Sequence, residues 1–192
     1  MATQKDVDTF VEAARSFVQR SLGLEGVELD RSEESLAFVD HYAEGARESQ
    51  LKDELLALVA PALGAYLGEV AIAKFGGQWV LEGEDPSEWR VELQPVPLRF
   101  WPVGMAAEAL RGDEVEGYDA SFAVFGPSAS TLMSLLREQL ARVPPVEPEY
   151  YYSLTGRLET LTHAVEVLTT MLAHVKDAEN APATDGDGSD ED

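Results

Sequence analysis

The sequence predicts an α+β fold: helices packed on a small, mainly antiparallel three- to four-stranded sheet, with a disordered acidic C-terminal tail. Three observations lead there. Apolar residues recur at three- and four-residue spacing near both ends of the chain. Between them the spacing changes to alternation, in short runs rich in Val, Leu, Trp and Phe that are separated by turn residues. The last stretch, "DAENAPATDGDGSDED", has no large apolar side chain and dense negative charge, so it cannot bury enough surface to offset the entropy of ordering. The expected division is a single α+β domain over 1–176 and a disordered acidic tail over 177–192.

Residues 5–22 read as an amphipathic helix, with Val7, Phe10, Val11, Ala14, Phe17, Val18 and Leu22 on one stripe and Gly23 ending it. Asp30 and Glu33 have the spacing of a capping box for a second helix whose apolar face is Leu36, Val39 and Tyr42. A third helix is expected from about Leu51 to Phe75, bent or interrupted at Pro61. Then "QWVLEGE", "EWRVELQP" and "PLRFWPV" read as strands of an antiparallel meander, with Trp89, Val91 and Leu93 alternating against Arg90, Glu92 and Gln94. A short helix, "GMAAEALRGDE", stops at Gly112, and "YDASFAVFG" is a fourth strand. "PSASTLMSLLREQLARVPP" is a helix with Pro127 near its start and a Pro-Pro stop. The last helix runs from about Ser153 to Lys176, with Leu154, Leu158, Leu161, Val165, Leu168 and Leu172 as its stripe.

Charge narrows the functional classes. Across 192 residues, 36 acids face 14 bases, a net charge of -22. A surface that negative repels nucleic-acid phosphates and anionic lipid, so nucleic acid and membrane are not expected partners and a basic protein is. No cysteine is present, which excludes disulfides, thiolate nucleophiles and Cys-based metal sites. The first ten residues are polar and acidic, unlike a secretory signal. The apolar run from Leu55 to Ala73 is interrupted by Pro61, two glycines and Glu69, a poor pattern for a membrane span. A cytoplasmic protein is the expectation.

Motifs that hint at chemistry have plainer readings. Asp185, Asp187 and Asp190 suggest a calcium loop, but an EF-hand needs Gly at position six, where Asp190 falls, and a bidentate Glu at position twelve. Glu159, His163 and Glu166 share a helix face, without the second acid–histidine set that a carboxylate-bridged metal site requires. "GPSAS" at 126–130 lacks the second glycine of a serine-nucleophile elbow and reads as a helix start. No Gly-rich phosphate loop is present, and neither a cofactor nor a metal is expected. Tyr150, Tyr151 and Tyr152, with Trp79, Trp89 and Trp101, fit core or interface positions better than a ligand pocket.

Glu69 is the residue that stands out. It lies in the most apolar helix, beside Gly68 and next to Tyr66 and Val70, while Gly64 and Gly68 mark a close packing face. A buried carboxylate needs a partner. Arg99, Arg90 and the N–H of Trp79 are the candidates. Glu69, Tyr66, Trp79 and Arg99 therefore form the set to locate, either as a tether between helix and sheet or as a ligand or catalytic site.

Leu29, Asp30, Ser32, Ser35 and Leu36 form a Leu-Asp-x-Ser-x-x-Ser-Leu motif. Gly64, Tyr66, Gly68 and Glu69 form Gly-x-Tyr-x-Gly-Glu, followed by Gly76, Gly77 and Trp79 as Gly-Gly-x-Trp. Over residues 25 to 115 this order resembles a group of small bacterial proteins of unknown function. Their Pro-Phe step into a short helix is replaced here by Trp101-Pro102-Val103. The resemblance implies a shared fold and brings no catalytic set. The expectation is a non-catalytic protein-interaction module, an adaptor or immunity-type protein that presents an acidic surface to a basic partner. The alternatives are a small-ligand binder or hydrolase with Glu69 in a pocket, and a structural subunit of an oligomer. The sequence leaves the oligomeric state open.

Overall fold

The computed structural model describes residues 1–23 and 28–180. Along the chain run α1 (Gln4–Leu22), α2 (Leu36–Glu48), α3 (Asp53–Phe75), β1 (Gly77–Val80), β2 (Arg90–Leu93), β3 (Leu98–Phe100), α4 (Pro102–Arg111), β4 (Phe122–Val124), α5 (Ala129–Leu140), α6 (Pro148–Tyr151) and α7 (Leu154–Asn180). A short 3₁₀ turn, Pro86–Glu88, joins β1 to β2. The fold is α+β. Its sheet has four strands in the order β1-β2-β3-β4, every pair antiparallel.

α1 begins with a capping box, in which the Asp6 carboxylate accepts from the Thr3 N–H at 2.8 Å, and it ends at Gly23 in the left-handed region. α2 corrects one expectation. Asp30 and Glu33 do not cap it: the Asp30 carboxylate accepts from the Ser32 N–H at 3.0 Å, Glu33 pairs with Lys74, and the helix starts only at Leu36. The local Asx turn satisfies the Asp side chain before a helix can use it.

α3 is the spine. It runs as one helix through Pro61, where the sequence suggested a bend or an interruption, and nearly every residue from Val59 to Ala71 is buried. Losing one helical hydrogen bond at proline costs about 3 kcal/mol, which burial of a helix that is apolar on all sides offsets. By length and composition α3 is apolar enough to cross a membrane, with 78% of that window buried inside the protein. Pro61, Gly64 and Gly68, which break up the apolar run in the sequence, are all buried within the helix.

α4 lies against α3 and is buried from Pro102 to Leu110. Glycine permits this approach. A Cβ on Gly64 would stand 2.5 Å from the Val103 Cα, and one on Gly104 would be 1.8 Å from the Asp119 carbonyl oxygen. The sheet turns one face to the helices: Trp89, Val91, Leu93, Leu98 and Phe100 are buried, while Arg90, Glu92 and Arg99 on the other face are half-buried. One apolar cluster joins residues from α1 through α7.

The short helix α6 was not anticipated from "PEYY". α7 continues to Asn180, four residues into the stretch expected to be a disordered tail. The rest of that stretch, with Asp185, Asp187 and Asp190, lies outside the described residues.

Candidate functional site

The geometry around Glu69 is built by three elements. The helical period sets Tyr66 and Glu69 one turn apart on α3. Gly76 ends the helix with a positive φ of 77° and turns the chain into β1, which brings Trp79 back over α3. The indole lies so close to Gly68 that a Cβ there would meet the ring at 2.2 Å. The glycine and the tryptophan are thus two halves of one contact.

The Glu69 side chain is 11% exposed. Its Oε1 accepts from Trp79 Nε1 at 3.0 Å and from Gln4 Nε2 at 3.4 Å. Its Oε2 faces the Arg31 guanidinium at 3.1 Å. Arg31 itself has a left-handed backbone, with φ 68°, and its N–H donates to Tyr66 Oη at 2.9 Å. Tyr66 Oη lies 2.5 Å from Ser35 Oγ, and Ser35 Oγ donates to the Ser32 carbonyl at 2.6 Å. The serine proton is therefore spent on Ser32, and the Tyr66 hydroxyl donates to Ser35. Burial raises the Tyr66 phenol above its ordinary value, which keeps that donor protonated.

Of the four expected site residues, three come together and one does not. Glu69 and Trp79 meet directly. Tyr66 joins them through Arg31. Arg99 does not join: it sits on β3 opposite Glu92 and Ala123, with its guanidinium 5.6 Å from the centre of the Trp101 ring. The Arg99 Nε is buried without a hydrogen-bond partner. Arg90, the other candidate cation, pairs with Glu82 and Glu92. The cation that reaches Glu69 is Arg31, at the first of the three unspecified positions inside the Leu-Asp-x-Ser-x-x-Ser-Leu motif. The two motifs read separately in the sequence are one polar knot, closed by Ser35–Tyr66 and Arg31–Glu69.

This knot is chemically saturated. Both carboxylate oxygens have donors, one charge is balanced by a guanidinium, the Ser35 hydroxyl is bonded to the Ser32 carbonyl and to Tyr66, and no imidazole is among its members. The clefts of the described surface at α5–α7 and at α2–α6 are lined by other residues. Among the described residues, no group of three or more His, Asp or Glu is placed to hold a metal ion. His163 and Glu166 stand 3.9 Å apart on an open face of α7. Ser128 is the residue that precedes α5.

Two further polar devices escaped sequence reasoning. Asp40, on α2, accepts from the N–H groups of Leu154 and Thr155 at 2.6 and 3.1 Å and from the Thr155 hydroxyl, so it caps α7 from a distant element. Glu108 on α4 and Arg157 on α7, both 8% exposed, form a buried ion pair. The Arg157 guanidinium also lies 4.3 Å from the centre of the Tyr151 ring. Burial raises the Glu108 carboxyl above its ordinary value, while Arg157 pulls it down. The only sequence signal for the pair is a charged residue on an otherwise apolar helix face, which does not name its partner. Comparison with known proteins finds no family model, no curated protein and no solved structure that this chain matches, so the motif resemblance over residues 25 to 115 brings no assigned activity to the knot.

Proposed function

We propose that this chain is a non-catalytic cytoplasmic protein-interaction module, an adaptor or immunity-type protein, whose acidic surface receives a basic protein partner. The observation that carries the reading is where the charge lies. Over residues 1–23 and 28–174, the acids other than Asp40, Glu69, Glu92 and Glu108 are exposed. Several cations are committed elsewhere: Arg47 to the Ala109 carbonyl, Arg157 to Glu108 and Arg31 to Glu69, while Arg111 is shared between the Leu51 carbonyl and the exposed Asp53. The unneutralised field favours fast, steered encounter with a positive surface. The saturated partners of Glu69 support a fold-holding role for that residue over a ligand site. A cytoplasmic setting suits a chain with no cysteine, which gains nothing from an oxidising compartment.

The test is an affinity pulldown from native lysate at low and high salt, read by mass spectrometry, with the recovered protein then purified and titrated against this chain. A basic protein whose affinity falls steeply with salt is the expected result. Affinity that does not change between low and high salt would remove the electrostatic reading.

A further inference from the structure

Two neighbouring clefts share one residue, Tyr150. The first, about 390 Å³, runs between the end of α5, the following connector and α7, and is walled by Phe122, Leu140, Val143, Val146, Tyr150 and Tyr151, with Glu159 at its edge. Its walls are apolar yet open: Val143 is 48% exposed and Val146 51% exposed. The second cleft, about 470 Å³, lies between α2 and α6 and presents Glu44, Glu147 and Glu149. Its one arginine, Arg47, is held by the Ala109 carbonyl at 2.8 Å. Pro144 and Pro145 line the first cleft and Pro148 begins α6, and their fixed φ leaves these segments less freedom to lose on binding.

We infer that this double cleft is the docking surface for a basic segment of another protein, with one bulky apolar side chain of the segment seated in the α5–α7 groove and its Lys or Arg side chains along Glu44, Glu147, Glu149 and Glu159. The inference rests on the acidic-module reading and adds its location and the partner's chemistry. Charge complementarity names the occupant. An apolar groove alone would accept any greasy surface, but this one is approached across carboxylates, within a chain of net charge -22. An acidic or neutral segment would be repelled or left without partners for those acids. Tyr150 belongs to both halves. Its phenol is pushed up to about 12 by burial first and by the Glu159 carboxylate beside it, so it stays a neutral donor at the junction.

The experiment measures fluorescence anisotropy with three synthetic peptides: a lysine-rich one carrying a Phe and a Leu, the same peptide with Ser at both apolar positions, and a glutamate-rich one. The Phe/Leu peptide should bind about tenfold or more tighter than its Ser counterpart, the worth of one well-buried apolar side chain. The glutamate-rich peptide should not bind. Val143→Ser with Val146→Ser should erase the tenfold preference while leaving the Ser peptide unaffected. Glu147→Gln with Glu149→Gln should weaken both basic peptides and flatten their salt dependence. Glu84→Gln with Glu88→Gln, the same charge change just before and at the end of the 3₁₀ turn, should do neither. All six side chains changed are exposed, and a thermal melt of each variant verifies folding. If the distant pair weakens binding as much as Glu147→Gln/Glu149→Gln, the docking site falls while the acidic-module reading stands. If no basic peptide binds at low salt, both fall. If light scattering shows self-association that Val143→Ser/Val146→Ser abolishes, the groove belongs to a second copy and the proposal is overturned.

Discussion

Glu69 is held by two kinds of donor that respond differently to substitution. Glu69→Gln keeps an oxygen for the Trp79 N–H and loses the charge pairing with Arg31. That arginine side chain is 46% exposed, so the pair contributes little; the expected loss is below about 1 kcal/mol. Glu69→Ala leaves the indole N–H without its carboxylate and should cost about 1–3 kcal/mol by urea denaturation. A Gln variant that unfolds would mean that the charge itself holds the knot. Tyr66→Phe removes the acceptor of the Arg31 N–H and the donor to Ser35, within a site where Tyr66 is fully buried. Its expected cost is also about 1–3 kcal/mol. Gly64→Ala should cost about 1–3 kcal/mol because the new methyl meets the backbone of Val103, which only a shift of α4 can relieve. Gly68 differs in kind: its added methyl would strike the Trp79 ring, so Trp79 fluorescence would report the change.

Between elements, α7 is anchored to the rest of the fold at two polar points. Asp40 supplies the helix N-terminus with an acceptor for two N–H groups, and Asp40→Ala should destabilise by about 1–2 kcal/mol and speed amide exchange at Leu154 and Thr155. The Glu108–Arg157 pair is the second anchor. Arg157→Met would strand a buried carboxylate and should cost about 3–5 kcal/mol at neutral pH. The pH dependence has a definite sign. Glu108 has a folded pKa above its unfolded value, because burial outweighs the pull of Arg157. The folded state therefore holds that proton more tightly, and the stability this provides is present below the unfolded pKa and lost as pH rises through the folded one. With Arg157 gone, the pKa rises further. The penalty of Arg157→Met should then shrink on acidification from about pH 7 to about pH 5, measured as the difference from wild type by urea titration.

Across the whole molecule, a net charge of -22 and a pI near 4.3 set folding and binding against each other. Like charges crowd together on folding, so added salt should stabilise the fold, by about 1 kcal/mol or roughly 2–4 °C in Tm for a chain of this length. The same salt should weaken a basic partner. A thermal melt and a binding titration across one salt series would show opposite slopes. A Tm that falls with salt would mean that specific ion pairs such as Arg90–Glu82 outweigh the general repulsion.

Helices and strands were legible in the sequence because each exposes its period. The stripe of α1, the alternation of Trp89, Val91 and Leu93, and Gly23 and Gly112 as stops all state local geometry in local residues. The α+β class and the acidic surface follow from such patterns and from composition. Glu69, Tyr66 and Trp79 were legible as a group because they lie close along the chain on a helix and the strand after it. Partnership over longer separations was not legible. Arg31, Arg90 and Arg99 are the same residue type, and only the packing of α3 against the segment before α2 decides that Arg31 reaches Glu69. The continuity of α3 through Pro61, the capping of α7 by Asp40 and the pairing of Glu108 with Arg157 were decided in the same way. A period is a property of neighbours in sequence. A buried charge takes its partner from whichever chain segment the core brings alongside it, and that choice exists only once the elements have packed.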